Sequence, residues 1–495
     1  MGTNSVHMLV VRFYEGTYGT AVYRDKEAVR IGRCVFTEGR IDTETLERTR
    51  LVVSKFRNAA ESMGATAIEA YATCAAREAS NRDELVAVVK GCGIDLRIVP
   101  GPEEARLTRL GVLGARADVR TLLIDIGGGS TEVVVADGEE DLYLDSMKLG
   151  AVRMAFASGV DQSAKVPFER YDELRRMADM QSYRSAGRVR ELGFRRAVGS
   201  SGTLVAIAEM CGARRGDDDG SYFMHYELSA LMRDLCSADV EGRKRFPRMG
   251  PARADIVIGG GAVADELMNL FGVDRLEVSP NGLREGMQMD WAFRRGGRDI
   301  DIRRSSAVAL AARCGADRKH YETVERYAME LYDGFGVADV IPHADGWREL
   351  LGFAAVVHDV GEFISFDRSN IHAYTIIVNS SMAGFDMEEL TDIALIARFQ
   401  HDAMPKPGAA IFGPMDMAER TAILRCAMLL RLADIMDRGR DASIKSIGVA
   451  ADRSAVTIDL RSDTDISMEV WKLRTAAKQF RKVFGRDLRV VFGPV

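Results

Sequence analysis

Apolar and polar residues alternate over residues 7–12 and 19–23, which predicts two strands. A helical apolar period runs over 43–63, and 67–72 reads as a strand again. Up to about Pro100 this makes one α/β unit. A second unit opens at Leu122. There an apolar strand enters Asp125-Ile126-Gly127-Gly128-Gly129-Ser130-Thr131 and leaves at once as Glu132-Val133-Val134-Val135, a strand, glycine turn, strand arrangement. Two further clusters, Ala197-Val198-Gly199-Ser200-Ser201-Gly202-Thr203 and Ile256-Val257-Ile258-Gly259-Gly260-Gly261, are each expected to follow a strand and open a helix whose N-terminus is available to an anion. From about Arg303 amphipathic helices take over, and five of the seven histidines lie beyond this point. After Arg438 strand-like stretches return at 447–450 and 455–460, followed by a basic helix over 470–481 and a last strand over 486–492. The expected domains are 1–118, 119–298, 299–440 and 441–495.

A glycine turn lets backbone N–H groups approach phosphate oxygens that a Cβ would block, and flanking hydroxyls add donors. Gly2-Thr3-Asn4-Ser5 and Gly127-Gly128-Gly129-Ser130-Thr131 both have this form, and both run into a strand. The two halves therefore read as weak internal copies of one phosphate-gripping hairpin, able to face each other across a cleft. No Gly-Lys-Ser/Thr follows, which excludes a Walker loop, and neither turn opens a helix, which excludes a dinucleotide fingerprint. A plain glycine hairpin is the alternative for either turn alone. Asp125 stands out, because a carboxylate closing an apolar strand beside three glycines is a costly position for a charge without a function.

At 495 residues, with 47% apolar and 28% charged residues, the chain is expected to fold into several ordinary cores. No run approaches the roughly 18 apolar residues of a membrane span, and no basic region precedes an apolar block, so a cytosolic location is expected. The seven cysteines, scattered from Cys34 to Cys426 without a CxxC pair, predict reduced thiols. A net charge of -6 argues against broad nucleic-acid binding; a polyanionic substrate would have to be met by local positive charge. The basic runs Arg243-Lys244-Arg245 with Arg248, Arg303-Arg304, and 472–482 could form such a track or simply be solvated faces.

Six ordered segments resemble the exopolyphosphatase and guanosine pentaphosphate phosphatase (Ppx/GppA) family, of the long type with a C-terminal HD-like domain. They are Met1-Gly-Thr-Asn-Ser-Val-His-Met8, Ala72-Thr-Cys-Ala-Ala-Arg-Glu-Ala79, Gly101-Pro-Glu-Glu-Ala-Arg-Leu107, Ile124-Asp-Ile-Gly-Gly-Gly-Ser-Thr-Glu132, Gly199-Ser-Ser-Gly-Thr203 and Gly282-Leu-Arg-Glu-Gly286. The resemblance implies two actin/Hsp70-like (ribonuclease H-like) α/β domains, an all-α HD-like domain and a small α/β tail. It points to Glu104 as the group that activates the attacking water, with Glu103 as its neighbour, and to Arg77 as a phosphate contact. Asp125 and Glu132 would hold Mg2+, a hard cation that prefers carboxylate and phosphate oxygens. Gly2, Thr3, Asn4, Ser5, Gly127, Gly128, Gly129, Ser130, Thr131, Ser201, Gly202 and Thr203 would cradle phosphate. Alternatively, Glu103, Glu104 and Arg106 form an exposed charged helix start, and Arg77 pairs with a surface carboxylate. The family carries an apolar strand and an aspartate directly before the first turn, where this sequence has Met1. The expectation is a start codon assigned too far downstream, with a truncated, weakened enzyme as the alternative.

In the helical half, His320, His358-Asp359 and Asp434 follow the order of metal ligands in HD-domain phosphohydrolases, and imidazoles with carboxylates suit a second divalent metal. The segment His372-Ala-Tyr-Thr-Ile-Ile-Val-Asn-Ser380 is similar to one in exopolyphosphatases of the longer type. A scaffold that extends a polyanion channel or builds a dimer is the alternative. His372 and His401 are expected to be supporting or core residues, and His7 structural. The expected function is hydrolysis of the terminal phosphoanhydride of inorganic polyphosphate, or of the 5'-phosphate of guanosine pentaphosphate, by a homodimer. The alternatives are an HD-type nucleotide phosphohydrolase and a non-catalytic polyphosphate or alarmone sensor. No specific nucleic acid and no membrane are expected as partners.

Overall fold

The computed structural model describes the chain except residues 14–18, 115–116, 157, 216–220, 297–300, 343, 381, 383, 386, 402–403, 407 and 414. It divides into two compact units, Met1–Arg12 with Ala21–Arg298 and Phe13–Thr20 with Asp299–Val495. The expected boundary at 298–299 falls outside the described residues. Among the described residues no helix is long and apolar enough to cross a membrane. All seven cysteines are free.

In the first unit, β1 (Ser5–Arg12) pairs with β2 (Thr20–Ala28), and β3 (Ala70–Ala72) runs parallel to β4 (Leu96–Ile98). The expected long helix forms as Thr43–Ser62, started by the Asp42 carboxylate, which accepts from Thr45 N–H. The larger sheet comprises β5 (Ala117–Ile126), β6 (Thr131–Gly138), β7 (Glu140–Met147), β8 (Arg196–Ser200), β9 (Tyr222–Met224) and β10 (Arg275–Val278), in the spatial order β7-β6-β5-β8-β10-β9. Continuous apolar runs such as Leu122-Leu123-Ile124 and Val133-Val134-Val135 are buried on both faces, as central strands of a covered sheet must be.

The cluster at 256–261 departs from expectation. No strand precedes it, and the helix Val257–Phe271 contains all three glycines. A Cβ at Gly259 would sit 2.8 Å from Met154 Cβ, and one at Gly261 2.6 Å from Met232 Cε. These glycines serve close helix packing rather than anion binding.

The second unit is helical from Ile302–Arg313 to Met417–Met436 and ends in a three-stranded sheet. Its strands are β11 (Ile444–Ala451), β12 (Ala455–Ser462) and β13 (Asp487–Gly493). The basic helix expected over 470–481 is two helices, Ser467–Thr475 and Ala477–Phe484. The tail shares one core with the helices: Phe335 packs against Phe480 and Phe484, with ring centroids 6.0 and 5.2 Å apart.

Candidate active site

Sheet register builds the centre of the first unit. Asp125 on β5 lies opposite Glu132 on β6 and opposite Ser200 on β8, and Glu132 lies opposite Ser146 on β7. Directly opposed residues share a sheet face about 5 Å apart, so Ser146, Glu132, Asp125 and Ser200 form one polar row. The row is fixed by two hydrogen bonds: Ser200 Oγ donates to Asp125 Oδ1 (2.8 Å), and Ser146 Oγ to Glu132 Oε1 (2.8 Å). Neither serine was expected to have this role. Ser200 stands inside a motif the sequence had flagged, while Ser146 carried no local signal.

Glu104 reaches this row from the first turn of the helix Gly101–Leu113. A Cβ at Gly101 would lie 2.7 Å from Ser146 Cβ, so glycine there lets the helix start against the row. Arg77 Nη1 donates to Glu104 Oε2 (3.1 Å) and to the Val99 carbonyl (2.6 Å). Burial raises the pKa of Glu104 against the opposing charge of Arg77. Burial, with Glu104 and Asp125 nearby, pushes Glu132 well up. Asp125 keeps some surface, but protein surrounds its carboxyl and pushes it up to about 6. Three carboxylates thus converge, with Arg77 the one cation in hydrogen-bond reach of Glu104 among the described residues. That excess of negative charge fits a divalent cation with oxygen ligands.

A carboxylate with a raised folded pKa binds its proton more tightly in the native chain. Its penalty is therefore absent below the ordinary carboxylate range and complete once the pH exceeds the folded value, about 6 for Asp125. Without divalent cations, Asp125→Asn is expected to melt above the parent at about pH 7.5 and level with it at about pH 4. Thermal unfolding across that range checks this. A variant that melts lower at neutral pH would mean that the carboxylate is already compensated.

Glu103 is placed elsewhere. Adjacent helical residues do not share a face, and Glu103 forms a two-point ion pair with Arg106 (2.8 and 2.9 Å), which also binds Asp290 (2.7 Å). It belongs to a surface network, not to the row. Thr131, expected to bind phosphate, is fully buried and donates its hydroxyl to the Leu149 carbonyl (3.0 Å).

The two glycine turns share one internal hydrogen bond: Gly2 N–H to Ser5 O (2.9 Å) and Gly127 N–H to Ser130 O (3.0 Å). They also touch, since a Cβ at Gly128 would lie 2.9 Å from Thr3 Cβ and one at Gly129 2.8 Å from Thr3 Oγ1. The carbonyls of Gly127, Gly128 and Gly129 accept from Ala151 N–H, Val152 N–H and Arg153 Nε at 2.7–3.0 Å. The N–H groups of Gly128 and Gly129 find no acceptor among the described residues, a geometry that suits an anion. Asn4 is half-buried, while Ser5 is buried at the start of β1 and Ser130 lies against Glu132.

Ser201, Gly202 and Thr203 stand where β8 gives way to the helix Gly202–Arg215. Ser201 adopts φ 92, an uncommon backbone for a residue with a Cβ, and its Oγ accepts from Thr203 N–H (3.3 Å). The guanidinium of Arg253, unremarked in the sequence, lies directly against Gly202, and burial lowers its pKa. Desolvation, with the charges of Arg284, Lys26, the N-terminus and Arg253, lowers the pKa of His7 to about 3. These cations are not those of the expected basic runs. Arg243 is fully buried and donates to the carbonyls of Leu235, Gln162 and Ala164; Arg303 pairs with Glu389, and Arg304 with Glu325.

In the second unit the expected ligands do meet. One atom each of His320, His358 and Asp434 lie within 4.8 Å of one another. Asp359 joins them, with Oδ1 3.3 Å from His358 Nε2 and Oδ2 3.6 Å from His320 Nε2. His358 Nδ1 faces the Ala355 carbonyl (2.7 Å), which directs Nε2 into the cluster, toward Asp359 Oδ1 (3.3 Å) and Asp434 Oδ1 (3.7 Å). Asp437, missed in the sequence, fixes the other ring by bonding His320 Nδ1 (2.8 Å). A carboxylate or carbonyl behind each imidazole is how metal-ligating histidines are oriented, so these residues fit a divalent metal. Burial would lower His320, but hydrogen bonds to Asp434 and Asp437 raise it to about 9, and both histidines hold Asp434 far below its usual range. A metal ion would bind there in competition with protons. His401 is exposed, and the His372 ring carries no hydrogen bond among the described residues.

Three converging carboxylates beside two touching glycine turns, with basic residues nearby, suit one class of chemistry, that of a hydrolase of the phosphatase kind. Residues 9–295 match the Ppx/GppA phosphatase family, and residues 302–479 match Ppx/GppA phosphatase domain III. The chain belongs to the Ppx/GppA phosphatase family. It is 28% identical over 473 residues to the guanosine-5'-triphosphate,3'-diphosphate pyrophosphatase of Aeromonas hydrophila, covering 93% of this chain and 91% of that protein. Among solved structures, the exopolyphosphatase of Cytophaga hutchinsonii is similar to 59% of this chain and 96% of its own, at 24% identity and a TM-score of 0.54. The Aquifex aeolicus member of the Ppx/GppA family covers 60% and 96%, at 21% identity and a TM-score of 0.51.

Proposed function

We propose that the chain releases the terminal phosphate of a linear phosphoanhydride, either inorganic polyphosphate or guanosine pentaphosphate. The observation that carries this reading is the buried convergence of Glu104, Asp125 and Glu132 beside the paired glycine turns. Glu104 takes the proton of the attacking water as its oxygen bonds to the terminal phosphorus, and the bridging P–O bond breaks toward the shortened chain. Asp125 and Glu132 would hold Mg2+, which when bound supplies positive charge to the phosphate oxygens. The amides of Gly128 and Gly129 receive the terminal phosphate, while Lys26, Arg253 and Arg284 meet the following ones. Both substrates present the same terminal anhydride to these groups. Phosphate release from long-chain polyphosphate and from guanosine pentaphosphate, with Mg2+ and with chelator, tests the reading. Release from at least one substrate, abolished by chelation, is expected; silence on both with Mg2+ present would overturn it.

The convergence of His320, His358, Asp359 and Asp434 supports a second reading, in which an HD-like metal centre in the second unit hydrolyses a nucleotide phosphoester. Asp359→Ala then removes activity that Glu104→Ala leaves in place.

A further inference from the structure

Resting on the metal-binding reading of the second unit, one cation beside that centre has no role in it so far. Arg440 lies in the turn after the helix Met417–Met436, in a left-handed backbone conformation (φ 55), with its N–H bonded to the Asp437 carbonyl (2.8 Å). Its guanidinium approaches Asp359 Oδ2 (3.4 Å), Asp317 Oδ2 (3.4 Å) and Glu362 Oε2 (3.8 Å). Asp359 Oδ2 is also the oxygen that faces His320 Nε2. One oxygen of Asp359 is therefore shared between the interior of the cluster and an arginine whose side chain is 41% exposed. The buried histidines close the inner side of the centre, so Arg440 marks the side open to solvent.

We propose that Arg440 is a switchable phosphate-binding residue of this centre, opposing the bare metal ion and favouring a metal-bound phosphate monoester. A divalent ion held by Asp359 repels a guanidinium 3.4 Å from the same carboxylate, so the pair must loosen for the ion to enter. A phosphate dianion on the ion restores negative charge at the mouth and offers the fork of acceptors a guanidinium fits. The same residue thus acts with opposite sign on the two binding steps. A residue that merely props the turn would weaken both.

The test titrates the full chain, Arg440→Gln and Arg440→Lys with Mn2+ alone, and then titrates the Mn2+-loaded proteins with inorganic phosphate. An Asp434→Ala chain subtracts binding in the first unit. Arg440→Gln is expected to bind Mn2+ roughly two- to fivefold more tightly, the scale of a part-exposed ion pair, and phosphate roughly tenfold or more weakly, the scale of a charge-assisted hydrogen bond. Arg440→Lys should fall between. Weaker Mn2+ binding in Arg440→Gln, or unchanged phosphate binding, overturns the proposal while leaving the metal centre standing. Equal Mn2+ uptake by the parent and Asp434→Ala overturns the metal centre, and the proposal with it.

Discussion

Glu104→Gln should lower phosphate release by roughly 10²–10⁴-fold, the usual worth of a positioned general base, with little change in KM. Glutamine keeps the shape of the side chain and can still meet Arg77, which bonds Glu104 Oε2 at 3.1 Å, but it cannot accept a proton from water. Stability should move the other way. Glu104 is buried and raises the pKa of Glu132 beside it, so removing one of three crowded carboxylates relieves repulsion. A variant that melts no lower than the parent and yet turns over at under a hundredth of its rate separates loss of the base from loss of fold. Rates within about threefold of the parent would remove Glu104 from the chemistry and shift attention to the second unit.

Gly286→Ala should damage both fold and catalysis. The helix Leu283–Gly296 crosses the Glu104 helix so closely that a methyl at Gly286 would overlap the Leu107 carbonyl oxygen and lie 2.6 Å from its carbon and 3.0 Å from Gly111 N. These are backbone atoms and cannot rotate away, so the helices must part. Overpacking of this kind costs about 1–3 kcal/mol, or more where backbone is struck. Leu107 lies one turn beyond Glu104, so the same displacement shifts the base and lowers the rate of whatever still folds. Gly187→Ala is the control. That glycine is exposed within the helix Phe168–Leu192, with no atom near its Cβ position, and alanine there should stabilise by roughly 0.5–1 kcal/mol. Denaturant unfolding of both variants checks the contrast, and a Gly286→Ala chain as stable as Gly187→Ala would refute the packing argument.

Much of the site was legible because its signals are local. Three glycines between two apolar strands, with a carboxylate at each end, state a tight turn with charge held beside it. The order His320, His358, Asp359, Asp434 named four residues that the fold does bring together. The misreadings share one cause. Glu103 and Glu104 are chemically identical neighbours, and about 100° of helical rotation sends one to a surface ion pair and the other to the carboxylate row. Gly259-Gly260-Gly261 looks like an anion turn when read along the chain, but Met154, Thr203 and Met232, which crowd it, come from other segments.

The sequence by itself determined most of the elements, the two hairpin glycine turns and the types of residue available for chemistry, because periodicity, capping and backbone freedom act over a few residues. Only the tertiary structure decided which of those residues meet. Ser146 and Ser200 reach Glu132 and Asp125 through strand register, Arg253 reaches Gly202 from 51 positions away, and Asp437 reaches His320 across 117. Such pairings depend on how whole strands and helices pack, and no short stretch of the chain encodes that packing.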